Sequence, residues 1–255
     1  MRITRAVVPS LFTVLNMFCG FSSIIHSHDG RYEIAAWLII LGAVFDSLDG
    51  VMARITKSSS KFGVEFDSLS DIITFGAAPS FLVYRIFLYS YGGLGVLISS
   101  LPLLLGGIRL ARFNVQLIGF DKDYFKGLPI PAQALMVTTF VLKYYSESIG
   151  LIGWKADIFA PMIIGLSLLM VSTFKYDTLP KINKKNIIEH PIKFSLFIII
   201  CITVLVTKGA ALFPLFIIYT LSGILRWIIN LIKSIIHQDN KSEEEDDAET
   251  SSIDV

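Results

Sequence analysis

Apolar runs of about 20 residues recur along most of the chain, the length a helix needs to cross the hydrocarbon core of a bilayer. Inside lipid every backbone N–H and C=O must find its partner within the protein, so only helices and closed barrels span a membrane. The runs here are continuous rather than alternating in polarity, which argues against a barrel. With 53% hydrophobic and only 17% charged residues, one helical bundle is a better account than a soluble domain with an anchor. The expected fold is an all-α polytopic membrane bundle of about eight transmembrane helices, near 7–26, 33–54, 64–90, 93–113, 130–146, 156–174, 192–207 and 210–233. Pro131 and Pro161 are expected near helix starts, where proline is tolerated. The N-terminal run lacks a clean small-x-small cleavage site and reads as a retained first helix. Residues 1–238 form the membrane domain, and the acidic segment 239–255, poor in large apolar residues, is expected to be a disordered cytoplasmic tail.

Basic residues give the orientation. Of the 22 lysines and arginines, 17 fall at the N-terminus, in 54–61, 109–126 and 175–193, and at the C-terminal end. The positive-inside rule then puts both termini and the 54–61 loop in the cytoplasm, as for a cell inner-membrane protein. A net charge of +1 gives no reason to expect nucleic acid as a partner. Cys19 and Cys201 lie far apart inside apolar runs and read as buried apolar side chains. His26 and His28 fall on the predicted outer side and read as surface histidines.

Against this apolar background, residues 46–71 hold Asp46, Asp49, Asp67 and Asp71. On a helix Asp46, Asp49, Gly50 and Ala53 form one stripe, and Gly63, Asp67, Ser70 or Asp71, and Thr74 form a second, one loop away. An ionised aspartate at mid-bilayer costs about 2.5–3.5 kcal/mol, so four uncompensated ones cost on the order of 10 kcal/mol. Clustered carboxylates also repel one another, which favours raised pKa values or bound cations. An all-oxygen ligand set suits Mg²⁺, Mn²⁺ or Ca²⁺ and not zinc. Divalent ions held between two helices serve chemistry at a phosphate. A divalent-cation transporter is the rival class; it accounts for the carboxylates but not for the interleaved Gly-Ala-Arg spacing.

The stretch resembles the signature of the CDP-alcohol phosphatidyltransferase family, D-x-x-D-G-x-x-A-R, eight residues, then G-x-x-x-D-x-x-x-D, met at Asp46, Asp49, Gly50, Ala53, Arg54, Gly63, Asp67 and Asp71. The resemblance implies a family core of six helices plus two more here, and transfer of a phosphatidyl group from CDP-diacylglycerol to an alcohol with release of CMP. It implies that the four aspartates ligate two divalent cations, Mg or Mn with Ca an alternative, and that Asp71 is also the catalytic base. Gly50, Ala53 and Gly63 would leave room for the nucleotide, Arg54 would neutralise phosphate or pin the loop, and a homodimer is expected.

Three further stretches, "FDSLSDIITFGAAPSFLVY" at 66–84, "IRLARFNV" at 108–115 and "FKGLPIPAQAL" at 125–135, resemble the serine-using branch of the family. L-serine is therefore the expected acceptor, giving phosphatidylserine; glycerol phosphate, inositol or choline as acceptor and an ether-lipid donor are the alternatives. Arg109 and Arg112, a helical turn apart, have the chemistry to receive serine's carboxylate or a phosphate. Near the N-terminus the branch reads P-N-x-x-T-x-x-N, and the chain departs from it with Ser10 in the asparagine position. Thr13 and Asn16 remain, as expected nucleotide contacts. Gln133 stands where alanine is common, and Pro129 and Pro131 suit a rigid loop over the site.

Overall fold

The computed structural model describes residues 7–56, 60–116, 124–177 and 211–253, with side chains at all of these except 7–10, 53–56, 116, 124–125, 177 and 234–253. The helices are α1 (Val7–His28), α2 (Tyr32–Thr56), α3 (Lys61–Asp71), α4 (Ala78–Ile86), α5 (Gly92–Gln116), α6 (Ile130–Tyr144), α7 (Trp154–Val171) and α8 (Leu212–Ile253). A π-helical stretch, Ile72–Ala77, joins α3 to α4, and a 3₁₀ turn, Leu88–Tyr91, precedes α5. Among the described residues, four segments are long and apolar enough to cross a membrane: Tyr32–Met52, Leu88–Val115, Trp154–Val171 and Leu212–Lys233. They coincide with four of the eight expected spans. The segment expected at 64–90 is a helix broken by the π turn, and that at 130–146 is a 15-residue helix. The segment expected at 192–207 lies outside the described residues.

One expectation, the place of Pro161, is corrected, and the structure adds a short strand pair. The fold is mostly helical, as expected, with a short ladder in which β1 (Tyr124–Lys126) pairs antiparallel with β2 (Lys175–Asp177), Phe125 opposite Tyr176. Pro161 lies inside α7 rather than at its start, because the helix begins at Trp154 directly after Gly153, whose φ of +60° makes the turn. The backbone of α8 runs helical from Leu212 to Ile253. No glycine or proline follows Gly223 to interrupt that helix.

The core lies where α2, α4, α5, α6 and α7 meet, around Ile39, Phe75, Leu82, Phe140, Phe159 and Ile163, all fully buried or nearly so. Small residues set how closely the helices approach. A Cβ on Gly106 would stand 2.5 Å from Ile130 Cδ1, so glycine there lets α5 approach α6 without moving the Ile130 side chain. Pro102 interrupts the hydrogen-bond ladder of α5, and the neighbouring Leu103 N–H donates to Ser80 Oγ of α4 at 3.1 Å, which ties the two helices at the break. Gly127, with φ of +82°, turns the chain from β1 towards α6 at a point where a Cβ would overlap the Met170 carbonyl. That turn delivers Pro129 as the cap of α6.

Candidate active site

The acidic residues converge at the C-terminal end of α2 and along α3. Ser60 starts α3: its backbone is extended and its Oγ accepts from the Gly63 N–H at 3.0 Å, satisfying one of the amides a helix start leaves open. Starting there, α3 brings Asp67 against Asp46 and Asp49 of α2. One carboxylate oxygen from each of Asp46, Asp49 and Asp67 lies within 4.8 Å of the other two. Asp71, one turn beyond Asp67, is 8% exposed and within electrostatic reach of all three.

This arrangement fits a divalent cation on the chemistry of its atoms. Every donor is a hard carboxylate oxygen, which matches Mg²⁺, Mn²⁺ or Ca²⁺. Asp67 Oδ1 is buried and accepts no hydrogen bond among the described residues. Carboxylates held this close, and partly out of water, repel one another, and a bound cation removes that cost.

A cavity of about 490 Å³ opens beside the cluster, lined on its polar side by Asp46, Asp67, Asp71 and Arg109 and on its apolar side by residues including Leu110, Phe113, Ile130, Leu135 and Phe216. That volume lies in the range of ligand pockets, roughly 300–1,000 Å³. Pro129, the cap of α6, and Pro131, in its first turn, are in its wall. Arg109 is 6% exposed and its guanidinium lies within electrostatic reach of Asp71.

Not every expected residue reaches the cavity. Arg112 is turned elsewhere: its Nη1 donates to the Val171 carbonyl at 2.9 Å and its Nη2 to the carbonyls of Lys126, Met170 and Ser172 at 3.2–3.4 Å. It caps the C-terminal end of α7 and holds the β1 segment against it, where a cation also meets the negative end of the helix dipole. Gly63 is in the capped first turn of α3 and lines no part of the cavity. Gly50 is partly buried on α2 next to Asp49. Ala53 and Arg54 are in the last turn of α2, and their side chains lie outside what is described.

The second expected stripe splits in two. Asp67 and Asp71 face α2, whereas Ser70 and Thr74 are fully buried against α1, donating to the carbonyls of Thr13 at 3.0 Å and Asn16 at 2.8 Å. The wider π turn that follows Asp71 carries Thr74 round to α1. The side chains of Thr13 and Asn16 bond aspartates: Thr13 Oγ1 donates to Asp49 Oδ2 at 3.1 Å, and Asn16 Nδ2 donates to Asp71 Oδ1 at 3.3 Å.

The sequence of this part of the chain matches a known family. The pattern described as CDP-alcohol phosphatidyltransferase fits residues 6–171, well over half the chain, and takes in α1 to α7 and every aspartate of the cluster. The chain belongs to the CDP-alcohol phosphatidyltransferase family. Within that family it is 37% identical over 238 residues to a Helicobacter pylori (strain J99) protein named CDP-diacylglycerol--serine O-phosphatidyltransferase, covering 92% of this chain and 96% of that one. It is 43% identical over 143 residues to the archaetidylserine synthase of Methanothermobacter thermautotrophicus, covering 55% of this chain and 60% of the relative. A solved structure of Mycobacterium tuberculosis phosphatidylinositol phosphate synthase with CDP-DAG bound shares 19% identity at a TM-score of 0.49, covering 67% of this chain and 82% of that one.

For a phosphatidyltransferase site, the sequence motifs left three contributors unmarked. Phe216 and Tyr219 of α8 close one wall of the cavity from about 100 residues downstream of Arg109, with no motif to mark them. Asn114 also lines the cavity and donates to Ser68 Oγ at 3.0 Å; it lies in the "IRLARFNV" stretch, where two arginines draw attention away from it.

Proposed function

We propose that this chain transfers the phosphatidyl group of CDP-diacylglycerol to the hydroxyl of L-serine, forming phosphatidylserine and releasing CMP, at the cytoplasmic face of the inner membrane. The observation that carries the proposal is the convergence of Asp46, Asp49 and Asp67 within 4.8 Å of one another beside a cavity that also holds Asp71 and Arg109. Support for serine as acceptor comes from the relatives: the names of both the Helicobacter and the Methanothermobacter proteins carry serine as the headgroup, and they differ in the lipid.

Asp46, Asp49, Asp67 and Asp71 would hold two divalent cations, Mg²⁺ or Mn²⁺, with Ca²⁺ the alternative. Such ions, when bound, neutralise the diphosphate and stabilise charge on the departing CMP. The apolar wall formed by Leu110, Phe113, Ile130 and Phe216 lets the acyl chains stay in lipid while the nucleotide occupies the polar side. Arg109 receives the carboxylate of serine by charge-assisted hydrogen bonds. Asp71 accepts the proton of the serine hydroxyl as its oxygen attacks the phosphorus carrying diacylglycerol. The new P–O bond forms as the bond to CMP breaks, and the electron pair leaves with CMP. Burial of Arg109 and Asp71 fixes both groups before substrate arrives, so little reorganisation is required in the transition state. A homodimer with both termini in the cytoplasm completes the proposal.

The test is CMP release by purified protein supplied with CDP-diacylglycerol, Mn²⁺ or Mg²⁺, and serine, glycerol phosphate, inositol or choline in turn. Release with serine, abolished by EDTA, is expected. Release only with another alcohol refutes serine as the acceptor, and cation flux without CMP refutes the transferase.

A further inference from the structure

Thr13 and Asn16 are one helical turn apart on α1, and each makes the same kind of double connection. The side chain of each donates to an aspartate, Thr13 Oγ1 to Asp49 Oδ2 at 3.1 Å and Asn16 Nδ2 to Asp71 Oδ1 at 3.3 Å. The backbone carbonyl of each accepts from a hydroxyl three residues beyond an aspartate of α3, at 3.0 Å from Ser70 Oγ and 2.8 Å from Thr74 Oγ1. The four bonds link α1 to Asp49 on one helix and to the backbone that carries Asp67 and Asp71 on the other. Thr13 is 4% exposed, and Asn16, Ser70 and Thr74 are fully buried. Neither Thr13 nor Asn16 lines the cavity.

We infer that Thr13 and Asn16 are positioning residues that set the separation and aim of the metal-ligating aspartates, rather than contacts to the nucleotide. The inference rests on the metal reading given under the proposed function. Asn16 supplies a second sign of it. Its Oδ1 is buried and accepts no hydrogen bond among the described residues, held in a space where a Cβ on Gly42 would stand 3.0 Å away. The donor end of the same amide faces Asp71 at 3.3 Å, so the side chain is oriented by the aspartate. Carboxylates that ligate a cation are commonly held by such outer hydrogen bonds, and removing one typically lowers metal affinity by roughly 10–100-fold.

Thr13→Val keeps the shape and removes the donor; Asn16→Ala removes the other donor; Thr13→Ser keeps the hydroxyl. Mn²⁺ binding to each protein is measured without substrate by electron paramagnetic resonance, and the KM for CDP-diacylglycerol is measured at saturating Mn²⁺. The expected result is a Kd for Mn²⁺ raised about tenfold or more in Thr13→Val and Asn16→Ala, with affinity recovered in Thr13→Ser and the KM within about twofold of the parent. An unchanged Kd for Mn²⁺ together with a raised KM overturns the inference and makes these residues nucleotide contacts. If Thr13→Ser binds as weakly as Thr13→Val, the hydroxyl is not the cause and the inference fails as well. A parent protein that takes up no Mn²⁺ removes the metal reading itself, and the positioning role with it.

Discussion

Gly42 of α2 and Gly20 of α1 both abut Thr74, and substituting them separates two kinds of close packing. A Cβ on Gly42 would stand 2.5 Å from Thr74 Cγ2, 3.0 Å from Asn16 Oδ1 and 3.6 Å from Cys19 Cβ. Thr74 cannot rotate its methyl away without breaking the 2.8 Å bond from its Oγ1 to the Asn16 carbonyl. Overpacking of this kind costs about 1–3 kcal/mol, and alanine's better helix propensity returns up to about 1 kcal/mol. Gly42→Ala is therefore expected to destabilise the parent by about 1–2 kcal/mol. Thr74→Ser removes the methyl and keeps the hydroxyl. In that background the closest contact is gone, and Gly42→Ala is expected to be neutral or slightly stabilising, a coupling energy of about 1–2 kcal/mol. Gly20 behaves differently: its added Cβ would meet the Thr74 Cα at 2.6 Å and N at 2.9 Å, which are backbone atoms that Thr74→Ser leaves in place. Gly20→Ala is expected to destabilise both backgrounds alike. The assay is thermal unfolding in detergent followed by tryptophan fluorescence, where each kcal/mol corresponds to roughly 2–4 °C in a chain near this size. If Gly42→Ala is as harmful in the Thr74→Ser background as in the parent, the methyl contact is not what makes glycine necessary there, and the packing argument is refuted.

Two further predictions separate the roles of neighbouring groups. Asp71→Asn is expected to lower CMP release by about 10²–10⁴-fold while the protein elutes as the folded parent does; retained turnover removes Asp71 as the base. Arg109→Lys is expected to raise the KM for serine about tenfold with little change in melting temperature, whereas Arg112→Gln is expected to cost about 1.5–3 kcal/mol of stability with a smaller effect on that KM. Kinetics and melting of the pair decide the matter, and the reverse pattern would exchange the two assignments.

Much of the site was legible in the sequence because helix geometry is local. Asp46 and Asp49 are three residues apart, Asp67 and Asp71 four apart, and both spacings put the pair on one face whatever the helix packs against. Local periodicity does not determine what a neighbouring residue on that face does. Arg109 and Arg112 share a helix and a spacing that suits one anion, yet one lines the cavity and the other caps α7, because the carbonyls of 170–172 are brought there by a segment about 60 residues away. The stripe through Ser70 and Thr74 divided for a related reason. The π turn changes the angular step directly after Asp71, and the closeness of α1 at Gly20 gives the two hydroxyls carbonyl partners.

By itself the sequence determined a helical membrane architecture, the pairing of an acidic stripe on α2 with one on α3, and the family signature these carry, since hydropathy and short-range spacing are properties of the chain alone. The tertiary structure decided which cation faces the cavity, which helix holds the aspartates in place and which downstream wall closes the pocket. Those outcomes depend on contacts between segments tens of residues apart, where hydrogen-bond partners and van der Waals clearances exist only once the helices are packed.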